Sequence, residues 1–311
     1  MNTAAKLSAY GAALVLVAGG GWAIGGAAGP VAASSGAPAA AHSDTHDAAE
    51  PAGAATGLPG GLASSLNGYT LVPSTTTLPT GTTQPFTFRV LGPDGAPVTA
   101  YDVEHEKRMH LIVVRRDTAG FQHLHPQLAA DGSWWIQLGL PQAGSYRMYA
   151  DFKPTGGQAT TLGVDLSTPG DYQPAWYPPA RESEVDGYRV RLDGDLVAGR
   201  SSPVRLTVTK DGREVTDLEP YLGAYGHLVA LRGGDLAYLH VHPDESATAG
   251  PTIDFHTEVP SPGTYRLFLD FQHGGEVRTA EFTVEAQGTA PAAPAPAPAA
   301  EGDGHGHSHG G

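Results

Sequence analysis

The sequence predicts an all-β chain: two tandem immunoglobulin-like β-sandwich domains, preceded by an N-terminal signal or anchor segment and flanked by disordered tails. Three observations predict it. One block of sequence occurs twice, in the same order and with the same spacing. Each copy is made of short Val-, Leu-, Phe-, Tyr- and Thr-rich runs that alternate with polar residues, broken by Gly-, Pro- and Asp-containing turns. About seven such runs in roughly a hundred residues is the strand density of an immunoglobulin-like sandwich.

The chain has 311 residues, 42 glycines, 26 prolines, no cysteine and a formal net charge of −14. Without cysteine there are no disulfides, zinc thiolate sites or thiol nucleophiles. An acidic chain with no basic block lacks a nucleic-acid footprint and suits attraction of cations. Residues 1–29 read as a signal peptide or membrane anchor. Lys6 precedes an apolar run from Leu7 to Ala28, and the next basic residue is Arg89. That asymmetry sends the rest of the chain across the membrane, to an extracytoplasmic location, secreted or anchored. Small-residue cleavage patterns (Val31-Ala32-Ala33, Ala37-Pro38-Ala39) favour a signal peptide. The length of the run, and Gly21, Gly25 and Gly29 spaced by four, suit a retained span.

Residues 30–66 are Ala-, Gly-, Ser- and Pro-rich and read as a flexible tether. The first repeat covers 67–168 and the second 186–285. Phe86–Val90 corresponds to Val204–Val208, Met109–Val113 to Gly226–Ala230, and His123-Leu124-His125-Pro126 to His240-Val241-His242-Pro243. Pro141–Phe152 corresponds to Pro260–Phe271, and both contain the pattern PxxGxYR. In Tyr146-Met148-Ala150-Phe152 and Tyr265-Leu267-Leu269-Phe271, alternate residues form an apolar face. Pro93-Asp94-Gly95 and Lys210-Asp211-Gly212 mark hairpin turns. Residues 169–185 form a proline-rich connector whose Tyr172, Trp176 and Tyr177 are expected between the domains. Residues 286–311 run through alternating Ala-Pro to a Gly/His end and read as a disordered tail.

Candidate ligands lie in the hairpins. His110, His123 and His125 in the first copy match His227, His240 and His242 in the second. A two-residue Gly233-Gly234 turn would place His227 opposite His240, with facing Cβ atoms about 4.5–5.5 Å apart, and strand alternation would put His242 on the same face. The first copy has the same count, with Arg116-Asp117 in place of the glycines. Three converging imidazoles suit Cu²⁺ or Zn²⁺. Asp151 and Asp270 are matched candidates, as ligands or as groups orienting a histidine. His305, His307 and His309 alternate in the tail and read as metal-binding by composition. The opposing reading is that the histidines bond one another and close the end of each sandwich. His105, His256 and His273 read as ordinary.

At the HLHP and HVHP hairpins and the PxxGxYR strands, the chain resembles actinobacterial secreted or membrane-anchored proteins with paired immunoglobulin-like domains. These are similar to the YtkA-like, FixH-like and CopC-like sandwiches, a resemblance that implies heavy-metal association. The sequence lacks the N-terminal histidine and methionine-rich loop of the CopC pattern, so the resemblance extends only to the three hairpin histidines of each copy. No GxSxG, HExxH or phosphate-binding glycine loop is present. The expected function is non-enzymatic: an extracytoplasmic protein that binds divalent metal ions for copper or zinc buffering or delivery. The alternative is an envelope interaction module with an unidentified membrane or envelope partner and structural histidines.

Overall fold

The computed structural model of the chain describes residues 58–241 and 249–288. The signal or anchor segment, most of the tether, His242 and the tail with His305, His307 and His309 lie outside the described residues. No helix among the described residues is long and apolar enough to cross a membrane.

The first repeat contains β1 (Ser65–Leu66), β2 (Tyr69–Pro73), β3 (Thr83–Leu91), β4 (His110–Arg115), β5 (Gln122–Leu124), β6 (Gln127–Leu128), β7 (Ser133–Gly139), β8 (Gly144–Phe152) and β9 (Thr160–Thr168). The second contains β10 (Glu182–Val185), β11 (Tyr188–Asp193), β12 (Ser201–Lys210), β13 (Arg213–Glu214), β14 (His227–Arg232), β15 (Tyr238–Val241), β16 (Thr252–Glu258), β17 (Gly263–His273) and β18 (Glu276–Ala286). Each repeat is a two-sheet antiparallel sandwich. The first pairs β1-β2-β3-β7-β6 with β5-β4-β8-β9. The second pairs β10-β11-β12, flanked by β13 and β16, with β15-β14-β17-β18.

The period-2 pattern does what it predicts. Phe86, Phe88 and Val90 of β3 meet Tyr146, Met148, Ala150 and Phe152 of β8 in one core. Val204, Leu206 and Val208 of β12 meet Tyr265, Leu267, Leu269 and Phe271 of β17 in the other. The PxxGxY pattern is a corner device. Gly144 and Gly263 take φ of 135° and 130°. The following tyrosines donate back across the bend, Tyr146 Oη to the Gln142 carbonyl at 2.8 Å and Tyr265 Oη to that of Ser261 at 2.9 Å.

A third apolar cluster was not anticipated. Ile112, Val114 and Tyr149 of the first repeat pack with Val229, Leu231, Leu236, Tyr238 and Phe268 of the second. Apart from Leu236 in the loop before β15 and Tyr238 on β15, these residues are on the outer faces of β4, β8, β14 and β17, the faces turned from their own cores. The ring pairs follow the repeat: Phe121 stacks on Phe268 at 4.0 Å, and Tyr149 lies 5.3 Å from Tyr238. β4 is therefore buried along its whole length, so its HLIVVR run reads as continuous rather than alternating.

Two expected boundaries shift. The last residues of the tether belong to the fold: Tyr238 donates its amide to the Gly60 carbonyl, Gly61 donates to Thr161, and Ser65–Leu66 is a strand. Strand β10 begins inside the span assigned to the connector. Of the connector aromatics, Tyr177 covers the Arg266 guanidinium at 3.9 Å and Tyr172 covers Arg115 at 5.2 Å. Trp176 instead points outward, 80% exposed.

Candidate metal centre

The hairpin register differs from the sequence expectation by two residues. His123 lies opposite Ile112, not His110, and His240 lies opposite Val229, not His227. The turns are longer than two residues. In the second repeat Leu236 donates to the Arg232 carbonyl and Arg232 to that of Ala237. The Asp235 carboxylate, paired with Arg232, accepts the Ala237 amide at 3.1 Å. In the first, Asp117 plays this part with Arg115 at 2.8 Å and the Ala119 amide at 3.3 Å. An acidic residue thus closes each loop. A slip of two residues restores the same face of the strand, so the three imidazoles of the first repeat still meet.

One ring nitrogen from each of His110, His123 and His125 lies within 4.8 Å of the other two. The ring centroids are 4.8–5.3 Å apart. His110 is buried, and its Nε2 donates to the Glu104 carbonyl at 3.1 Å. A carbonyl only accepts, so in the neutral ring Nδ1 carries the lone pair. His123 Nδ1 donates to the Asp270 carboxylate at 2.7 Å, which leaves its Nε2 as the lone-pair nitrogen. Those two nitrogens face each other at 3.0 Å. Two lone pairs at that distance repel, and a proton or a metal cation relieves the repulsion. The third member, His125 Nε2, is buried with no hydrogen-bond partner. Burial pushes its pKa down to about 2, with His123 and His110 adding to the effect, so it stands as an uncharged donor.

Asp270 belongs to the second repeat. In its own sheet it is paired with His227, as Asp151 is with His110. Its Oδ2 nevertheless reaches His123 of the first repeat, while Thr279 Oγ1 donates to Oδ1 at 2.6 Å. Asp151 accepts Thr161 Oγ1 at 2.8 Å, as Asp270 accepts Thr279, and Tyr238 Oη at 3.3 Å. His227 repeats the backbone capture of His110, donating Nε2 to the Tyr221 carbonyl at 2.7 Å. Burial lowers its pKa to about 4, opposed by that hydrogen bond.

Sequence reasoning set His105 aside, yet it sits beside the cluster. A tight turn puts His105 and Glu106 at φ of 47° and 61°, and the His105 ring lies 5.5 Å from that of His227 and 6.1 Å from that of His110. The matching turn at Leu222-Gly223 has no imidazole. Two adjacent positive-φ residues were not foreseeable from His-Glu. His256 is exposed on β16, opposite Pro203, and His273 bonds Tyr188 Oη at 2.6 Å.

A family model described as a domain of unknown function, DUF8832, matches residues 64–170 and again 183–288. The chain belongs to the DUF8832 family. The two DUF8832 matches coincide with the two sandwiches. No curated protein matches the chain. Solved structures that resemble it include the Escherichia coli adhesin FdeC, 13% identical, covering 72% of this chain and 65% of that one, with a TM-score of 0.23. A DUF4426 family protein of Pseudomonas aeruginosa is 10% identical, covering 34% and 96%, with a TM-score of 0.25. The N-terminal Ig1-2 module of a Drosophila receptor protein tyrosine phosphatase is 8% identical, covering 70% and 98%, with a TM-score of 0.20. At these scores the likeness carries no argument about what a DUF8832 protein does.

Proposed function

We propose that this chain is an extracytoplasmic, non-enzymatic protein that binds a divalent transition-metal ion, Cu²⁺ or Zn²⁺, through His110, His123 and His125. One observation carries the reading: His110 Nδ1 and His123 Nε2, both lone-pair nitrogens by their other hydrogen bonds, face each other at 3.0 Å beside the unpartnered Nε2 of His125. Nitrogens at about 2.0–2.1 Å from a tetrahedral Zn²⁺ stand roughly 3.3 Å apart, which the spacing of this group brackets. The carboxylate on His123 fixes the tautomer that a ligand needs. Imidazole donors without thiolate suit Cu²⁺ and Zn²⁺, with Cu²⁺ ahead on intrinsic affinity. Lys6 and the apolar run after it support export.

The exposed Trp176, on a proline-rich segment held to both repeats, supports the second reading, an interaction module with an envelope partner. Calorimetric titration of Cu²⁺ and Zn²⁺ separates the two. The test protein is the full chain with His305→Ala, His307→Ala and His309→Ala. Binding should be at least micromolar, and His123→Ala or His125→Ala should remove a site or weaken it more than about a hundredfold, beyond the ~10–100-fold typical of outer partners. No binding below the millimolar range, or equal binding by the variants, would leave the interaction module as the function.

A further inference from the structure

We infer that the ion site is completed across the two sandwiches, with Asp270 of the second repeat as positioning residue for His123 of the first, so that ion binding and the docking of the repeats are one linked equilibrium. The inference rests on the metal-binding reading and adds its regulation.

The argument begins with the sheet faces. His110, Ile112 and Val114 alternate on one face of β4, and His227, Val229 and Leu231 on one face of β14. Ile112 and Val114 pack against Val229 and Leu231 in the shared apolar cluster. The histidines are the polar end of that same surface. Burial between the repeats removes water from them, and the other repeat then supplies the charge. The Asp270 carboxylate on His123 is buried, with 6% of each side chain exposed. Thr279 holds the second carboxylate oxygen. Traffic runs the other way as well: Tyr238 of the second repeat donates to Asp151 of the first, and Tyr149 of the first donates to the Leu236 carbonyl of the second at 2.7 Å.

A carboxylate on the far nitrogen of a ligating imidazole raises its basicity and holds its ring in place. That contribution exists only while the repeats are docked. By linkage, an ion that binds the docked form more tightly must stabilise docking by the same factor. Zinc held by first-repeat histidines should therefore tighten strands of the second repeat that carry none of the three ligands.

The test uses the full chain with the tail trio, His240 and His242 replaced by alanine, so that the first-repeat trio remains. Asp270→Asn should weaken Zn²⁺ affinity by about 10–100-fold. Thr279→Val, which leaves the carboxylate in place but unheld, should weaken it several-fold and serves if Asp270→Asn does not melt cooperatively. Zinc should slow amide hydrogen exchange in β14 and β17, and at saturating zinc that slowing should vanish in Asp270→Asn. A merely structural Asp270 would lower the melting temperature with and without zinc by equal amounts; a positioning Asp270 shrinks the zinc-induced increment. Wild-type affinity in both variants with unchanged exchange in β17 would overturn the inference while metal binding stands. Failure of the parent protein to bind zinc would overturn both.

Discussion

The two histidine hairpins share one backbone and differ in what surrounds it. In both, the first histidine donates to a carbonyl six residues upstream, Glu104 or Tyr221. Both hairpins have the same register. The differences are single side chains and flanking segments. His105 stands where Leu222 stands in the second copy. Tyr238 donates to Asp151, whereas its counterpart in the first repeat, Phe121, has no hydroxyl to donate. Even the matched arginines of the PxxGxYR strands are satisfied differently. Arg147 Nε donates to the Gly61 carbonyl at 3.0 Å, whereas Arg266 lies under Tyr177 and donates to Thr118 Oγ1 at 3.2 Å. The lead-in serves one arginine and the connector the other. Duplication fixed the scaffold, and the unequal segments around it satisfy the two matched arginines.

The comparison breaks most severely at the lead-in. At Gly61, with φ +72°, an added Cβ would lie 2.3 Å from the Tyr149 ring. Gly61→Val should cost about 3–5 kcal/mol, from left-handed strain and overpacking together. Urea melts would check this; a loss under about 1 kcal/mol would mean the lead-in is dispensable to the first repeat.

Next is the apolar surface shared by the repeats. Phe268→Ala removes the ring stacked on Phe121 and should cost about 3 kcal/mol. It should also split one cooperative transition into two, because each repeat keeps its own core. Differential scanning calorimetry reads both effects; a single unshifted transition would show that the shared cluster contributes nothing to docking.

Acid should act on the histidine end of that surface. His125 and His227 have folded pKa values of about 2 and about 4, against an ordinary 6.5. Below pH ~6.5 the unfolded chain takes protons that the folded chain refuses, so stability falls as pH drops. The slope is at most about 1.4 kcal/mol per pH unit for each histidine, continuing to about pH 4 for His227 and lower for His125. Denaturant melts from pH 7.5 to 4.5 measure it. The fall should be shallower in His227→Gln, and a pH-independent midpoint would contradict the buried, neutral state of both rings. The smallest effect belongs to His256→Ala on the exposed outer sheet, expected within about 0.5 kcal/mol of wild type by the same melts and with unchanged metal affinity.

The sequence by itself determined the repeat, the sandwich and, in the first repeat, the convergence of three histidines on one sheet face. Those follow from local rules: alternation with period 2, corner glycines at Gly144 and Gly263, and turn residues between apolar runs. A two-residue error in the hairpin register left that conclusion intact, because such a slip does not change the face. Only the tertiary structure decided which residue opposes which. Loop closure by Asp117 and Asp235 rather than by the Gly233-Gly234 pair alone sets that register. It also decided that Asp270 serves His123 rather than a histidine of its own repeat. The one sequence trace of this contact is the unbroken apolar run in HLIVVR and HLVALR, which marks strands covered on both sides without naming the cover. Pairing between repeats depends on how two complete surfaces meet, and no periodicity within either repeat encodes that.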